Sequence, residues 1–160
     1  MEKIVETTDI KQVKDIYKER LPIALRFMGS YNQMIDAGLC YHVEVDGKVV
    51  SAIAFSVHNS KKEVELVYTA TLKEFGGNGY CTKMIYRMYK DYFDDFFGTG
   101  FKMIIKTVVD GQDSVERTGQ FLYKKLTSKP VTQHKMPSGL TLDVYDVDFG
   151  LLEERMKKYG

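Results

Sequence analysis

The stretch "KEFGGNGYCTKMIYRMY", Lys73 to Tyr89, places three glycines and an asparagine directly before a segment with helical periodicity. The residues before it, "VELVYTATL" from Val64 to Leu72, are rich in the β-branched and aromatic residues typical of a strand. A strand that enters a glycine-rich turn and then a helix directs unpaired backbone N–H groups toward one point, together with the positive end of the helix dipole. Glycine allows close approach and positive φ, which Asn78 also tolerates. The order predicts an anion site, to which Thr82 could add a hydroxyl group.

The loop does not match the better-known phosphate-binding patterns. A P-loop requires Gly, four residues and then Gly-Lys-Ser/Thr, and Lys83 is not in that position. A dinucleotide fingerprint requires GxGxxG after the first strand of a parallel unit, which is also absent. Taken alone, the loop is equally compatible with a helix entry in which the glycines only turn the chain.

Composition predicts one soluble domain over residues 1–160. The chain has 44% hydrophobic and 12% aromatic residues, enough for one sizeable core. Lys and Arg number 23 against 22 Asp and Glu, so bulk charge gives no reason to expect a nucleic-acid or membrane partner. The longest apolar run is shorter than the roughly 18 to 20 residues of a spanning helix.

Cysteine and histidine usage favours a cytoplasmic protein without a metal. Cys40 and Cys81 have no CxxC spacing, and the first twenty residues are too charged for a secretory signal, so we expect free thiols in a reducing compartment. His42 and His58 lie on neighbouring predicted strands and His134 on a terminal one, with no spacing suited to zinc.

The first half of the chain reads as a strand, two helices and three antiparallel strands. "KIVET" is a short strand, and Asp9 with Gln12 forms a capping box for a helix to about Arg20. Pro22 should interrupt this helix, and a second one should end near Gly38. A hairpin then turns at "DG", the dipeptide preferred by a type I′ turn, and the strand before the glycine loop follows.

The second half reads as helix, strand, helix and hairpin. Apolar residues at three- and four-residue steps predict a long helix from Tyr80 to near Gly98, followed by a strand from Phe101 to Val109. Asp113 and Glu116 form a capping box that opens the helix "SVERTGQFLYKKL". A terminal hairpin and the amphipathic tail "LLEERMKKYG" complete the chain, and the tail could serve a homodimer contact. We therefore expect an α+β fold: a mixed, mostly antiparallel sheet with helices on both faces.

In this position, the loop resembles the acetyl-CoA pyrophosphate loop of the GCN5-related N-acetyltransferase (GNAT) superfamily. That loop is commonly written RGxGxG, and aligning "GGNGYC" with it places Gly77 and Gly79 on the first two glycines. Gly76 stands where Arg or Gln is expected, and Cys81 replaces the last small residue. The resemblance covers nearly the whole chain in element order.

The resemblance implies a splayed strand pair that holds acetyl-CoA as co-substrate. The strand before the loop would offer backbone groups of Thr69 and Thr71 to the pantetheine arm and separate from the following parallel strand. The implied cofactor site comprises Thr69, Thr71, Gly76, Gly77, Asn78, Gly79, Tyr80, Cys81 and Thr82. No metal is expected, and Cys81 is not expected to act as a nucleophile.

The same resemblance implies an acid and a base. Tyr123 corresponds to a tyrosine beside the sulfur that can protonate the departing thiolate, although it could equally be a core aromatic. Glu65 corresponds to a glutamate that accepts the amine proton directly or through water, although with Glu63 it also reads as a polar strand edge. Asp110 is the reserve base.

The resemblance therefore implies an N-acetyltransferase that transfers an acetyl group directly to a primary amine of a small molecule or protein. A different class remains open: a GNAT-fold binding or structural module that has lost the cofactor, as Gly76 and Cys81 would suggest. A third, an acetyltransferase toxin acting on charged tRNA, would require a concentrated basic face, and the balanced charge argues against it. The sequence does not identify the acceptor.

Overall fold

A seven-stranded mixed sheet organises the computed structural model, which describes residues 1–108 and 122–159. Its spatial order is β1-β2-β3-β4-β5-β7-β6, and every neighbouring pair is antiparallel except β4 and β5. The strands are β1 Glu2–Glu6, β2 Cys40–Val45, β3 Lys48–His58, β4 Glu63–Thr71, β5 Lys102–Val108, β6 Thr132–Lys135 and β7 Thr141–Asp146. The expected α+β architecture with a mostly antiparallel sheet is confirmed.

Four α-helices whose full length is described flank this sheet, together with short 3-10 turns. The helices are α1 Lys14–Arg20, α2 Met28–Asp36, α3 Tyr80–Asp91 and α4 Phe149–Met156. The 3-10 turns are Ile10–Gln12, Pro22–Phe27, Asn59–Lys61, Lys73–Phe75 and Phe97–Thr99. None of the described helices is long and apolar enough to cross a membrane.

Helices cover both faces of the sheet, as two consecutive residues of β4 demonstrate. The Tyr68 ring lies 6.0 Å from that of Tyr31 on α2 and 6.5 Å from that of Tyr17 on α1. The next residue, Thr69, places its hydroxyl 3.6 Å from Cys81 Sγ on α3. Because successive strand side chains point to opposite faces, α1 and α2 cover one face and α3 covers the other.

The capping and turn signals are found where the sequence placed them. The Asp9 carboxylate accepts a bond from the Lys11 N–H, and Gln12 Oε1 accepts one from the Asp9 N–H, which completes the predicted capping box. It caps a 3-10 turn, and α1 begins only at Lys14. The hairpin turn has φ of 51° at Asp46 and 85° at Gly47, the two positive values that a type I′ turn requires.

The helix after the glycine loop is shorter than predicted. It ends at Asp91, not near Gly98, because Tyr92 leaves helical geometry and donates a hydrogen bond from its hydroxyl to the Gly38 carbonyl at 2.6 Å. The Tyr92 and Phe96 rings stack 5.5 Å apart. Packing of these aromatics against the hydrophobic core, together with the bond to Gly38, therefore overrides the helical periodicity.

The later elements agree with prediction where the structure describes them. The terminal hairpin is β6 and β7, and the tail forms α4, capped by the Asp148 carboxylate, which accepts bonds from the N–H groups of Gly150 and Leu151. Residues 122–124 are helical. The predicted capping box of Asp113 and Glu116 lies outside the described residues.

Candidate active site

The two parallel strands at the centre of the sheet separate part of the way along their length. The β4–β5 ladder runs from Glu63↔Lys102 to Leu66↔Ile105, and then β4 continues to Thr71 while β5 continues to Val108. The separation begins at a β-bulge, because the β3–β4 register shifts so that Val67 has no partner. A bulge bends its strand and increases the local twist. The predicted splayed strand pair is therefore present, and Val67 marks where it opens.

The opening leads into a pocket of about 600 Å³, within the range of small-molecule sites. Its lining includes every residue predicted to bind the cofactor: Thr69, Thr71, Gly76, Gly77, Asn78, Gly79, Tyr80, Cys81 and Thr82. Tyr123, the predicted acid, also lines it. The strand edge, the loop, the start of α3 and this tyrosine thus share one cavity.

The loop needs glycine at two of its positions. Gly77 has φ of 82° and Gly79 has φ of 73°, in the left-handed region that side chains rarely adopt. Gly76 has φ of −64°, which any residue can adopt. The Asn78 side-chain amide donates a 2.9 Å hydrogen bond to the Phe75 carbonyl and so closes the turn. The two conformationally required glycines are those that align with the GNAT loop.

The first turn of α3 presents donors to the pocket. Gly79 is the N-cap and provides no side-chain cap, so the first N–H groups of the helix are free to bind an anion. Thr82 in the same turn is only 1% exposed, and its hydroxyl has no hydrogen-bond partner among the described residues. Leaving a buried polar group unpaired costs about 1–3 kcal/mol, which an anionic ligand at this point would offset.

The described residues that line the pocket carry one sign of charge. Four are basic, namely Arg20, Lys73, Lys125 and Arg155, and none of those described is acidic. The net charge of +1 for the whole chain does not indicate that basic residues are concentrated around this pocket. Sequence reasoning missed Arg20 and Arg155 because each belongs to an amphipathic helix, and only the packing of α1 and α4 brings them to the loop.

The last described residue closes one side of the loop. The Tyr159 ring packs so tightly against Gly79 that a Cβ at position 79 would clash with it. Lys83 Nζ lies 5.7 Å from the centroid of this ring and 5.5 Å from that of Tyr80, so both aromatics contact the same cation. Gly79 is therefore required by its neighbour as well as by its φ.

Tyr123, the predicted acid, is a buried phenol in the lining of the pocket, and its catalytic role stays a prediction. It is 5% exposed and lies in the pocket lining, with its ring centroid 5.8 Å from that of Tyr145. Burial raises the pKa of the phenol well above its usual value, and the nearby Cys81 and Tyr145 add to the effect. The hydroxyl therefore keeps its proton at neutral pH.

Glu65 lies outside this pocket. It sits in the paired part of β4 opposite Ile104, before the bulge, and its carboxylate lies 3.1 Å from His58 Nε2 and 3.4 Å from Lys106 Nζ. The structure does not bring it together with Tyr123, and its role as a base stays a prediction. The reserve base, Asp110, lies outside the described residues.

Cys81 is a neutral thiol in this environment. Its sulfur accepts a hydrogen bond from the Thr69 hydroxyl, and burial raises the pKa of the thiol to about 11. The contact with Thr69 directs the sulfur toward β4. No group of three or more potential metal ligands occurs within residues 1–108 and 122–159.

Comparison with known proteins identifies the family. The sequence profile of the Acetyltransferase (GNAT) family matches residues 10–119, more than half of the chain. The chain therefore belongs to the GNAT family, and N-acetyl transfer is the activity that this membership supports. No protein of curated function matches the sequence significantly.

Solved structures show the same fold at low sequence identity. Naa50 from Arabidopsis thaliana, in complex with the bisubstrate analogue CoA-Ac-MVNAL, is 13% identical with a TM-score of 0.65, over 89% of this chain and 96% of that one. Ard1 from Thermoplasma volcanium is 12% identical with a TM-score of 0.62, over 92% and 98%. The ribosomal-protein-S18-alanine N-acetyltransferase from Escherichia coli is 12% identical with a TM-score of 0.57, over 92% and 95%.

Proposed function

We propose that this protein uses acetyl-CoA to acetylate a primary amine of a small molecule or a protein, by direct transfer. The observation that carries the proposal is the pocket at the splayed strands, where an uncapped helix N-terminus, the unpaired Thr82 hydroxyl and four basic side chains converge. A polyphosphate ester fits this donor set, since each of its members binds anions. Free cysteines and this co-substrate suit a cytoplasmic location.

The free edge of β4 fits the amide-bearing arm of the cofactor. Beyond Leu66 the strand keeps its antiparallel ladder with β3 through Thr71 but has none with β5. The backbone groups that would face β5 are therefore available to an extended ligand, in the manner of strand addition. An arm along Thr69 and Thr71 would lead from the phosphate loop toward the interior of the sheet.

The bound thioester would supply an activated acetyl group, and the residues of the pocket would position it and manage protons. Tyr123, which burial keeps protonated, would donate the proton that the departing thiolate takes up. Glu65 is the proposed base for the amine proton. Because it does not line the pocket, it would act through water and not by direct contact.

The acceptor class remains part of the proposal. The names of two fold neighbours refer to protein or peptide substrates: the CoA-Ac-MVNAL analogue bound to Naa50 and the S18 alanine of the Escherichia coli enzyme. At 12–13% identity these neighbours share the fold with this chain, and a small-molecule amine fits the pocket chemistry equally well.

A second candidate function, a GNAT-fold module without cofactor or catalysis, is favoured by two observations. Gly76 provides no side chain where the family loop has Arg or Gln, and Tyr159 packs over the loop at Gly79. In this position the ring would hinder an anion at the start of α3.

Calorimetric titration with acetyl-CoA and with CoA separates the two candidates. Thr82→Val is the matched control, because it replaces the hydroxyl with a methyl group of similar shape. We expect the wild type to bind both ligands and Thr82→Val to bind them about 10-fold more weakly or worse. Absence of binding by the wild type would eliminate the acetyltransferase and favour the module. If binding is found, thiol release in the presence of candidate amines would identify the acceptor.

A further inference from the structure

We propose that Arg155 and Arg20 bind the cofactor phosphates from opposite faces of the sheet and provide the positive charge that the glycine loop itself lacks. This inference rests on the proposed function, because it assigns binding residues within the same pocket. Both arginines line the pocket, although they lie far from the loop in sequence.

Arg155 reaches the loop because α4 runs antiparallel to α3. At one end, Phe149 stacks on Tyr89 near the end of α3, with ring centroids 4.2 Å apart. At the other end, Tyr159 packs against Gly79 at the start of α3. Arg155, in the last turn of α4, is thereby carried to the end of α3 that presents free N–H groups.

Arg20 approaches from the other side. It is the last residue of α1, which packs with α2 on the face of the sheet opposite α3. It shares the pocket with Ala70 and Leu72, at the end of β4 where the chain enters the loop. The two arginines therefore flank the point at which β4 leads into α3.

Among the described residues, the Nε–H groups of both arginines lack the acceptor that a structural arginine usually has. The Nε atoms of Arg20 and Arg155 are buried, and neither has a hydrogen-bond partner within residues 1–108 and 122–159. No ion pair involves either side chain in those ranges. Arg87 on the surface of α3 provides the contrast, since its Nε donates a 2.9 Å bond to Asp91. A buried guanidinium N–H without an acceptor is costly to the folded protein unless a ligand supplies one.

Phosphate is the ligand chemistry that best matches this pair. The guanidinium fork donates two parallel N–H bonds to a phosphate, a geometry that lysine cannot provide. The loop contributes only backbone groups at Gly76, Gly77 and Gly79, so its own side chains offer no cation to an anion held there. Two arginines beside Thr82 and the helix N-terminus would add guanidinium donors to the two lysines, Lys73 and Lys125, that also line the pocket.

Calorimetric titration of the full-length protein with CoA tests the assignment. The variants are Arg155→Met and Arg20→Met, and Lys157→Met is the matched control because it removes one exposed charge from the residues just after α4. We expect each arginine variant to bind CoA about 10-fold more weakly or worse, and Lys157→Met to stay within about 2-fold of the wild type. S-acetylpantetheine, which lacks the phosphates, should bind the wild type and Arg155→Met equally.

The outcomes separate this inference from the function on which it rests. A wild type that binds no CoA would overturn the proposed function and this assignment with it. A wild type that binds CoA while both arginine variants bind it equally well would overturn the assignment alone, as would an equal loss of S-acetylpantetheine binding. If an arginine variant fails to fold, the salt dependence of CoA binding by the wild type provides the test. The assignment requires the affinity for CoA to fall steeply as the salt concentration rises, and an affinity that does not change with salt would overturn it.

Discussion

Tyr159 packs its ring against Gly79, which places the carboxyl-terminal residues over the first turn of α3. Gly79 and Gly77 both have positive φ, but only Gly79 has a close neighbour, because a Cβ at Gly77 would meet nothing within 4 Å. Substitutions at Gly77 and Gly79 therefore distinguish two effects: both introduce backbone strain, but only a substitution at Gly79 also disturbs the contact with Tyr159.

We expect Gly79→Ala to destabilise the protein more than Gly77→Ala does. Gly77→Ala should cost only the left-handed backbone penalty, about 1–2 kcal/mol, whereas Gly79→Ala adds a clash with the ring. Adding Tyr159→Ala should reduce the cost of Gly79→Ala and leave that of Gly77→Ala unchanged. Urea unfolding of the wild type, the three single variants and the two double variants measures this coupling, and equal costs for the two single glycine variants would contradict the contact.

Replacing Tyr123 with Phe should lower turnover and leave CoA binding nearly intact. The substitution removes the hydroxyl that would protonate the thiolate but keeps the buried ring and its contact with Tyr145. We expect a fall in kcat of about 100-fold, within the usual range for loss of a general acid. Tyr145→Phe is a control for loss of a neighbouring phenol. Unchanged thiol release by Tyr123→Phe would remove Tyr123 from the mechanism.

Much of the fold could be predicted because its signals are local. The capping box at Asp9, the turn at Asp46-Gly47 and the glycines at 77 and 79 each depend on a few adjacent residues, and the structure contains all of them. The end of α3 could not be predicted, because the Tyr92 hydroxyl leaves the helical pattern for a carbonyl that is distant in sequence.

The sequence predicted only part of the candidate site, because some of its residues come together only through packing of distant segments. The loop residues form one continuous segment, whereas Arg20, Arg155 and Tyr159 reach the pocket only through the packing of α1 and the carboxyl-terminal segment. The position of Glu65 relative to the pocket depends on the bulge at Val67, and no glycine or proline marks that bulge in the sequence. The alternation of polar and apolar residues along β4 therefore could not show which residues lie beyond the point where β4 separates from β5.

Introducing an arginine at position 76 should strengthen CoA binding and rescue Arg155→Met. Gly76 lines the pocket, has φ of −64° and has space for a Cβ, whose nearest neighbour would be the Lys73 carbonyl at 3.4 Å. An added guanidinium at this point would supply phosphate contacts from the loop itself. We expect the double variant Gly76→Arg/Arg155→Met to recover most of the affinity that Arg155→Met loses.

The uncharged control for this rescue is Gly76→Gln, which adds a long polar side chain without charge. Calorimetry with CoA compares the single and double variants. Recovery by Gln as well as by Arg would indicate that packing, not charge, is restored, and no recovery by Arg would place the lost phosphate contact beyond the reach of the loop.

His42 should make stability depend on pH near neutrality. It is 2% exposed, its Nδ1 lies 2.8 Å from the Thr7 hydroxyl, and burial lowers its pKa more than the nearby Glu44 carboxylate raises it. Because its folded pKa is below the unfolded value of about 6.5, the unfolded chain binds the proton more readily. The contribution of this residue is fully present above the unfolded pKa and is lost as the pH falls toward the folded pKa.

The free energy of unfolding, measured in urea at about pH 7.5 and about pH 5.5, should therefore fall more in the wild type than in His42→Gln. The control is the exposed His134→Gln, which should behave as the wild type. An equal fall in the wild type and His42→Gln would show that groups other than this imidazole control acid stability.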